Sequence, residues 1–356
     1  MYISGLNQRL RLSVRFWRHS PQRTVLRMPR FSPRMQSTVV FLFGDNPRID
    51  GSREVLGSGV LIGHNHPRYD PQQQFTRDTY AVTAAHVVRS GGSIIRLNTK
   101  DGGSRYIELD PSEWTFSEVD DVAAVDITER INDDDEIVVM HDSWLADKQV
   151  IDYYQIGIGE DGLALGLFSS LPGTRRNVIT GRFGNVSLMA DPGALINYAR
   201  TLRPAHLFDM KSRPGLSGSP IFVYRTPSSD LRLIDQGPRH FADNNEYLQT
   251  QTYWRQRENT FVKLLGIHSA QYTDSVQVTR DHELAHEVNE PIRDGDHLRI
   301  PNSMSVVVPA DSVKVLLSSQ SFATVREKRN KDVEPCSESL LLERTIYSGW
   351  LPNRGY

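Results

Sequence analysis

From about Thr38 onward, short apolar or alternating runs recur between clusters of Gly, Pro, Asn and Asp. The runs are TVVFLFG, GSGVLIG, YAVTAAHVV, SIIRLNT and DVAAVDI, followed by QIGIG, ALGLF, NVSLM, SPIFVY, FVKLLGIHSA and SMSVVVPA. Each has the length of a strand, and β-branched residues are frequent in them. Long 3.6-residue periods are scarce, and the spacing predicts helix only over 310–320 (ADSVKVLLSSQ) and 325–334 (VREKRNKDVE). The pattern therefore predicts an all-β protein of two barrels or sandwiches, each with about six strands. The acidic run at 131–136 (INDDDE) with the HDSWLADK after it suits either an interdomain connection or a solvated loop within one domain. Residues 226–260, polar and rich in Asn, Gln and Arg, read as an insertion between two strands.

Composition sharpens this picture in two places. At 356 residues the chain is long enough for two domains with separate cores. No apolar run approaches the length of about 18 residues that a membrane span requires, so a soluble protein is expected. The single cysteine, Cys336, excludes an internal disulfide framework and a Cys-based zinc site, and it fits a reducing compartment such as the cytoplasm. The net charge of −2 conceals an asymmetry: residues 1–36 carry eight arginines and no acid, which leaves −10 on the other 320 residues. Arginines interrupt every apolar stretch of LNQRLRLSVRFWRH, so this tail has no secretory core. It reads as an Arg-rich organelle transit segment, as a disordered arm attracted to polyanions, or as sequence ahead of a true start at Met35. A nucleic-acid role would rest on that tail alone.

Candidate chemistry begins at Arg213–Phe222, RPGLSGSPIF. A Gly-x-Ser-Gly turn bends sharply enough to expose a hydroxyl and to aim two N–H groups at one spot, as a serine nucleophile needs. Small-residue loops also join strands with no chemistry at all. TAAHVV places His86 at the end of an apolar strand, and VDDVAAVDI places Asp121 at the start of a buried one. A carboxylate that orients an imidazole, which in turn takes a proton from serine, is what general-base activation requires. Taken singly, His86 also reads as a packed core histidine and Asp121 as a strand-capping acid beside Asp120. Together at strand ends, the three point to catalysis.

In order and spacing, TAAHVV, DDVAAVDI and GLSGSPIF resemble the His, Asp and Ser segments of the chymotrypsin-like (trypsin-like) serine peptidases. GSGVLIG resembles the strand before the histidine, NVITGRFGNVSLM the strands before the serine loop, and LLGIHSA the strand lining the substrate cleft. MSVVVPADSVKVLL is similar to the last strand and closing helix of the bacterial, non-secreted branch. The resemblance covers residues 38–320 and implies two six-stranded Greek-key barrels with a short C-terminal helix. Residues 37–145 would form the barrel carrying His86 and Asp121, and 146–324 the barrel carrying Ser217 and the cleft. The basic tail 1–36 and a charged C-terminal tail, 325–356, would flank them.

The resemblance further implies that Ser217 is the nucleophile, His86 the general base and later acid, and Asp121 the group that fixes the ring tautomer. The N–H groups of Gly215 and Ser217 would form the oxyanion hole, and Pro214 removes only its own N–H. Protein or peptide substrates are implied, with no cofactor. Secreted digestive members have an aspartate just before the serine, which receives a new N-terminal amine on activation. Here Leu216 cannot form that ion pair, so the site is expected to be formed constitutively or set by a partner. Ser219 stands where the family has glycine.

For specificity, Ser269, Ala270 and Gln271 would pair with the substrate backbone as an added strand. His268 would face the primary pocket, with Lys211 and Ser212 near its floor. A histidine there resembles the glutamyl endopeptidases and picornavirus-type proteases, which prefer Glu or Gln, because imidazole can donate to a carboxylate or amide oxygen. The plainer reading packs His268 under the strand. The alternative function is a peptidase-fold module that binds peptides without turnover; loss of a triad residue would favour it, and none is lost. His64 and His66 in GHNHPRYD sit among loop-forming residues with no third ligand, so no metal is expected.

Overall fold

The computed structural model describes residues 31–47, 53–68, 76–212, 215–226, 261–277 and 297–331. Compactness divides the chain into Met1–Pro33, of which only residues 31–33 are described, and Arg34–Tyr356, treated below. Most of the basic tail, Cys336, Pro214 and nearly all of the 226–260 insertion lie outside the described residues.

The chain is mostly β. Eight strands of the first half share one sheet: β1 (Val39–Pro47), β2 (Arg53–Arg68), β3 (Thr76–Thr83), β4 (Gly92–Asn98), β5 (Ser104–Ile107), β6 (Thr115–Phe116), β7 (Ala123–Asp126) and β8 (Met140–His141). Their order is β5-β4-β1-β2-β3-β7-β6, with β8 parallel to β2 and the other pairs antiparallel. The apolar runs supply the core, where Val40, Leu42, Leu61, Ala81, Ile95 and Val125 meet Trp114. β2 carries the pairing through His64 and on to Arg68, so GHNHPR is strand rather than the loop its Gly, Asn and Pro suggest.

A closed six-stranded barrel follows. It comprises β9 (Asp161–Gly166), β10 (Thr180–Leu188), β13 (His206–Asp209), β14 (Pro220–Arg225), β15 (Phe261–Gln277) and β16 (His297–Pro309), joined in the order β10-β13-β16-β15-β14-β9. A hairpin of β11 (Ile196–Tyr198) and β12 (Thr201–Arg203) leaves it between β10 and β13. Ala164, Val186, Phe208, Ile221, Leu265 and Val307 fill the barrel core. One six-stranded barrel is thus present as expected. In the first half, no pairing between the short end strands β5 and β6 closes the sheet among the described residues.

Four α-helices complete the described residues: α1 (Ala85–Arg89), α2 (Lys148–Tyr154), α3 (Ala310–Leu317) and α4 (Gln320–Lys331). The run at 131–136 is docked rather than free, since Arg105 holds the buried Asp135 with two 2.6 Å bonds. α3 begins as the spacing predicts, and α4 starts five residues before the predicted second helix. α4 returns to the first sheet. Its Arg329 bonds to Asp78 of β3 at 3.0 Å and to Asp126 of β7 at 2.7 Å, while Phe322 packs edge-on against Tyr80 with 4.9 Å between ring centroids. The strands that lead into His86 and out from Asp121 are therefore braced from outside by the same helix.

His206, at the start of β13, is buried; its Nδ1 accepts the Ala190 N–H at 3.0 Å, and its Nε2 has no partner among the described residues. Desolvation lowers its pKa from 6.5 to about 4, so the folded state resists a proton that the unfolded chain takes up readily. Stability contributed by the neutral ring is complete above pH 6.5 and is lost as pH falls through about 4. Urea midpoints measured across that window should fall, and His206→Gln should flatten the fall; an unchanged profile in the variant would contradict this.

Candidate active site

The register of the first sheet assembles a pair of side chains. β3 ends at Thr83, and the buried Ala84 and Ala85 turn the chain into α1. Val87 and Val88 anchor that helix, leaving the His86 side chain 41% exposed. Because Thr83 pairs with Ala123, Asp121 comes to lie beside the start of α1. Its Oδ1 accepts the His86 backbone N–H at 2.9 Å, and its Oδ2 lies 2.6 Å from His86 Nδ1. The Ser269 hydroxyl donates to the same Oδ2 at 2.5 Å.

Asp121 is sealed from solvent. Burial alone would push its carboxyl up, but the His86 hydrogen bond and charge, with the Ser269 hydroxyl, hold it below the ordinary carboxylate range. An ionised Asp121 accepts hydrogen bonds only, so Nδ1 carries the proton and Nε2 is left as the ring's acceptor. The Ser269 contact arises from a break in register: His268 pairs with Val307 and Ala270 with Val306, so Ser269 is an extra residue that bulges out of the ladder. Nothing in the local sequence signals this role for the hydroxyl, which the bulge alone creates.

The serine lies in a tight turn closed by Ser219 N–H donating to Leu216 C=O at 2.9 Å. Gly215 and Gly218 have φ of +97° and +82°, conformations that favour glycine. At Gly218 the requirement is doubled, because a Cβ would lie 2.0 Å from the Ser58 carbonyl oxygen. Gly218 N–H donates to His268 C=O at 2.8 Å, and His268 N–H to Ser219 C=O at 2.9 Å, which ties the turn to β15. The N–H groups of Gly215 and Ser217 donate to no acceptor among the described residues.

Gly57 sets the spacing between this turn and α1. A Cβ there would sit 2.8 Å from the Val87 methyls and 2.9 Å from the Ser217 carbonyl oxygen, so helix and turn pack against the same glycine. The structure therefore brings His86, Asp121 and Ser269 into contact and seats the Ser217 turn beside them. Among the described residues the Ser217 hydroxyl forms no hydrogen bond, to His86 or to any other group.

His268 is buried, its Nε2 3.1 Å from the Ser212 hydroxyl and its Nδ1 without a partner among the described residues. Desolvation, helped by the charge of His86, lowers its pKa to about 4, so the ring is neutral near pH 7. Ser212 is buried beside it, whereas Lys211 is exposed. Ala270 is half-buried, and Gln271 Nε2 donates to the Asn302 carbonyl. β14 pairs with β15 only as far as Ile267, so among the described residues no strand covers that edge of β15 at 269–271.

Two further features were not legible beforehand. Asp120 accepts from Tyr198 Oη at 2.9 Å and from the Ser312 hydroxyl, which pins the residue next to Asp121 to the β11–β12 hairpin and to α3. His64 Nδ1 lies 3.2 Å from Asp142 Oδ2, and no group of three or more His, Cys, Asp and Glu is arranged to hold a metal among the described residues.

No family model matches the sequence, and no curated protein matches it. Among solved structures, the chain is similar to the Rv3671c protease in an inactive form, at 13% identity and a TM-score of 0.36, covering 80% of this chain and 88% of that one. A serine-to-alanine mutant of Rv3671c from M. tuberculosis H37Rv, also inactive, matches at 14% identity and a TM-score of 0.36, over 80% of this chain and 86% of that one. Among the described residues, no helix is long and apolar enough to cross a membrane.

The Asp121–His86 bond can be tested without any substrate. In proton NMR, the His86 Nδ1–H should resonate far downfield and vanish in Asp121→Ala. A resonance that persists in the variant would show that another group holds the ring.

Proposed function

We propose that the chain is a serine endopeptidase of chymotrypsin-like architecture, with 37–145 and 146–324 as its two barrels. The observation that carries this reading is the sealed Asp121 carboxylate on His86 Nδ1, beside a glycine-flanked serine turn with two uncommitted N–H groups. In this account His86 Nε2 takes the Ser217 proton as Oγ attacks the scissile carbonyl. The tetrahedral oxyanion accepts from the N–H groups of Gly215 and Ser217, and each such donor contributes roughly 10²–10³ in rate. His86 then passes its proton to the leaving amine, and water, deprotonated by the same ring, releases the acyl group. Asp121 stabilises the imidazolium formed along the way. The missing Ser217–His86 bond would form on substrate binding, since such bonds are often long in unliganded sites.

The Ser212–His268 contact supports a preference for Glu or Gln before the cut bond. With Ser212 and His268 Nε2 sharing one proton between them, the pair keeps one donor that can serve either side chain, and a buried apolar ligand would leave that donor unpaired. Ser269, Ala270 and Gln271 would take the substrate backbone along the open edge of β15. One observation favours a second reading, a peptidase-fold module that holds peptides without turnover: the Ser217 hydroxyl is not bonded to His86.

Labelling with a fluorophosphonate separates the two. The wild type should react, Ser217→Ala and His86→Ala should not, and Asp121→Asn should react about 10⁴-fold more slowly. A folded wild type that stays unlabelled would favour the binding module. In peptide-library profiling His268→Ala should lose a Glu or Gln preference of about 10- to 100-fold, the worth of one or two hydrogen bonds; a profile unchanged by the substitution would remove His268 from the pocket.

A further inference from the structure

Ser58, in β2, is fully buried, and all of its polar groups are engaged around the serine turn. Its N–H donates to the Ser217 carbonyl at 2.8 Å. Its hydroxyl donates to the Gly215 carbonyl at 3.1 Å and accepts the Leu167 N–H at 2.9 Å. Its own carbonyl accepts the Thr83 hydroxyl at 2.6 Å, one residue before the alanines that lead into α1. A single side chain and its backbone therefore connect the turn, the end of β9 and the end of β3.

These bonds fall on the carbonyls of Gly215 and Ser217, the two residues whose N–H groups would meet the oxyanion. Gly215 has φ +97° and no Cβ, so its flanking peptides are free to rotate unless something outside the turn fixes them. The two held peptides, 215–216 and 217–218, lie on either side of the peptide that carries the Ser217 N–H and adjoin the one that carries the Gly215 N–H, and neither N–H has an acceptor among the described residues. Leu216 between them is buried and uncharged, so no ion pair through that side chain can set the turn. Leu167 adds packing, since a Cβ on Gly215 would lie 3.0 Å from its Cδ2.

We propose that Ser58 is a positioning residue that holds the oxyanion turn in its working shape in the free protein, through its paired bonds to Gly215 and Ser217. The inference rests on the peptidase reading above for its catalytic consequence, but the turn's rigidity can be read separately. It answers the question posed by Leu216: the turn is formed by the fold itself, with no partner.

The test compares wild type, Ser58→Ala and Ser58→Cys, the last keeping the side chain's size with a weaker donor. Amide hydrogen exchange of peptides spanning 215–219, read against those from β1 and β4, should rise at least about tenfold in Ser58→Ala and less in Ser58→Cys. Fluorophosphonate acylation should slow by about 10²–10³ in Ser58→Ala, and turnover of a peptide substrate should fall with KM little changed. Wild-type exchange at 215–219 in folded Ser58→Ala would overturn the proposal, as would wild-type acylation in that variant. A wild type that fails to label would instead remove the peptidase reading, and the exchange data would still decide the role of Ser58.

Discussion

A carboxylate shut away from water is destabilising unless donors satisfy it, and removing one partner of such a buried charge typically costs about 3–5 kcal/mol. Asp121 meets that condition because three donors converge on it: the backbone N–H that opens α1, the His86 ring, and the Ser269 hydroxyl from the closed barrel. None of the three is local in sequence. The carboxylate therefore depends on β3 pairing with β7 in one register and on the bulge at Ser269 in β15. Conversely, those pairings are favoured because any slip would strand the charge. The candidate site and the contact between the sheet and the barrel are in this sense one arrangement.

The same seam is maintained by backbone at very short range. Gly57 and Gly218 lie where a Cβ would collide with Val87, Ser217 or Ser58, so β2, α1 and the serine turn approach more closely than side chains would allow. Ser58 fills the seam with hydrogen bonds instead of bulk. α4 adds a brace on the far side through Arg326 and Arg329, whose partners Tyr80, Asp78 and Asp126 sit on the strands that flank His86 and Asp121. A helix rich in charge is thereby part of the first sheet's support rather than a free tail.

Much of this could be read from the residues because short apolar or alternating runs bounded by turn-forming residues report strands directly. The β4 run SIIRLN, buried along nearly its whole length, is such a case. The His86–Asp121 contact was legible too, since both residues sit at the ends of strong apolar runs. Ser269 and Ser58 were not recognised in these roles, because a serine inside a strand pattern looks the same whether it faces water or a buried carboxylate. Their roles come from a bulge and from a contact 159 positions apart, between Ser58 and Ser217. His64 departs from the expected loop for a related reason: Gly, Asn and Pro favour a turn locally, while pairing with β3 keeps the segment extended.

The central claim is that Ser217 is a nucleophile whose oxyanion is received by its own turn. A crystal structure of the protein after reaction with a peptidyl phosphonate tests it most directly. The account predicts phosphorus bonded to Ser217 Oγ, a phosphoryl oxygen accepting from the N–H groups of Gly215 and Ser217, and His86 Nε2 within hydrogen-bond reach of Oγ. An adduct on another residue, or a phosphoryl oxygen turned away from those two N–H groups, would contradict it.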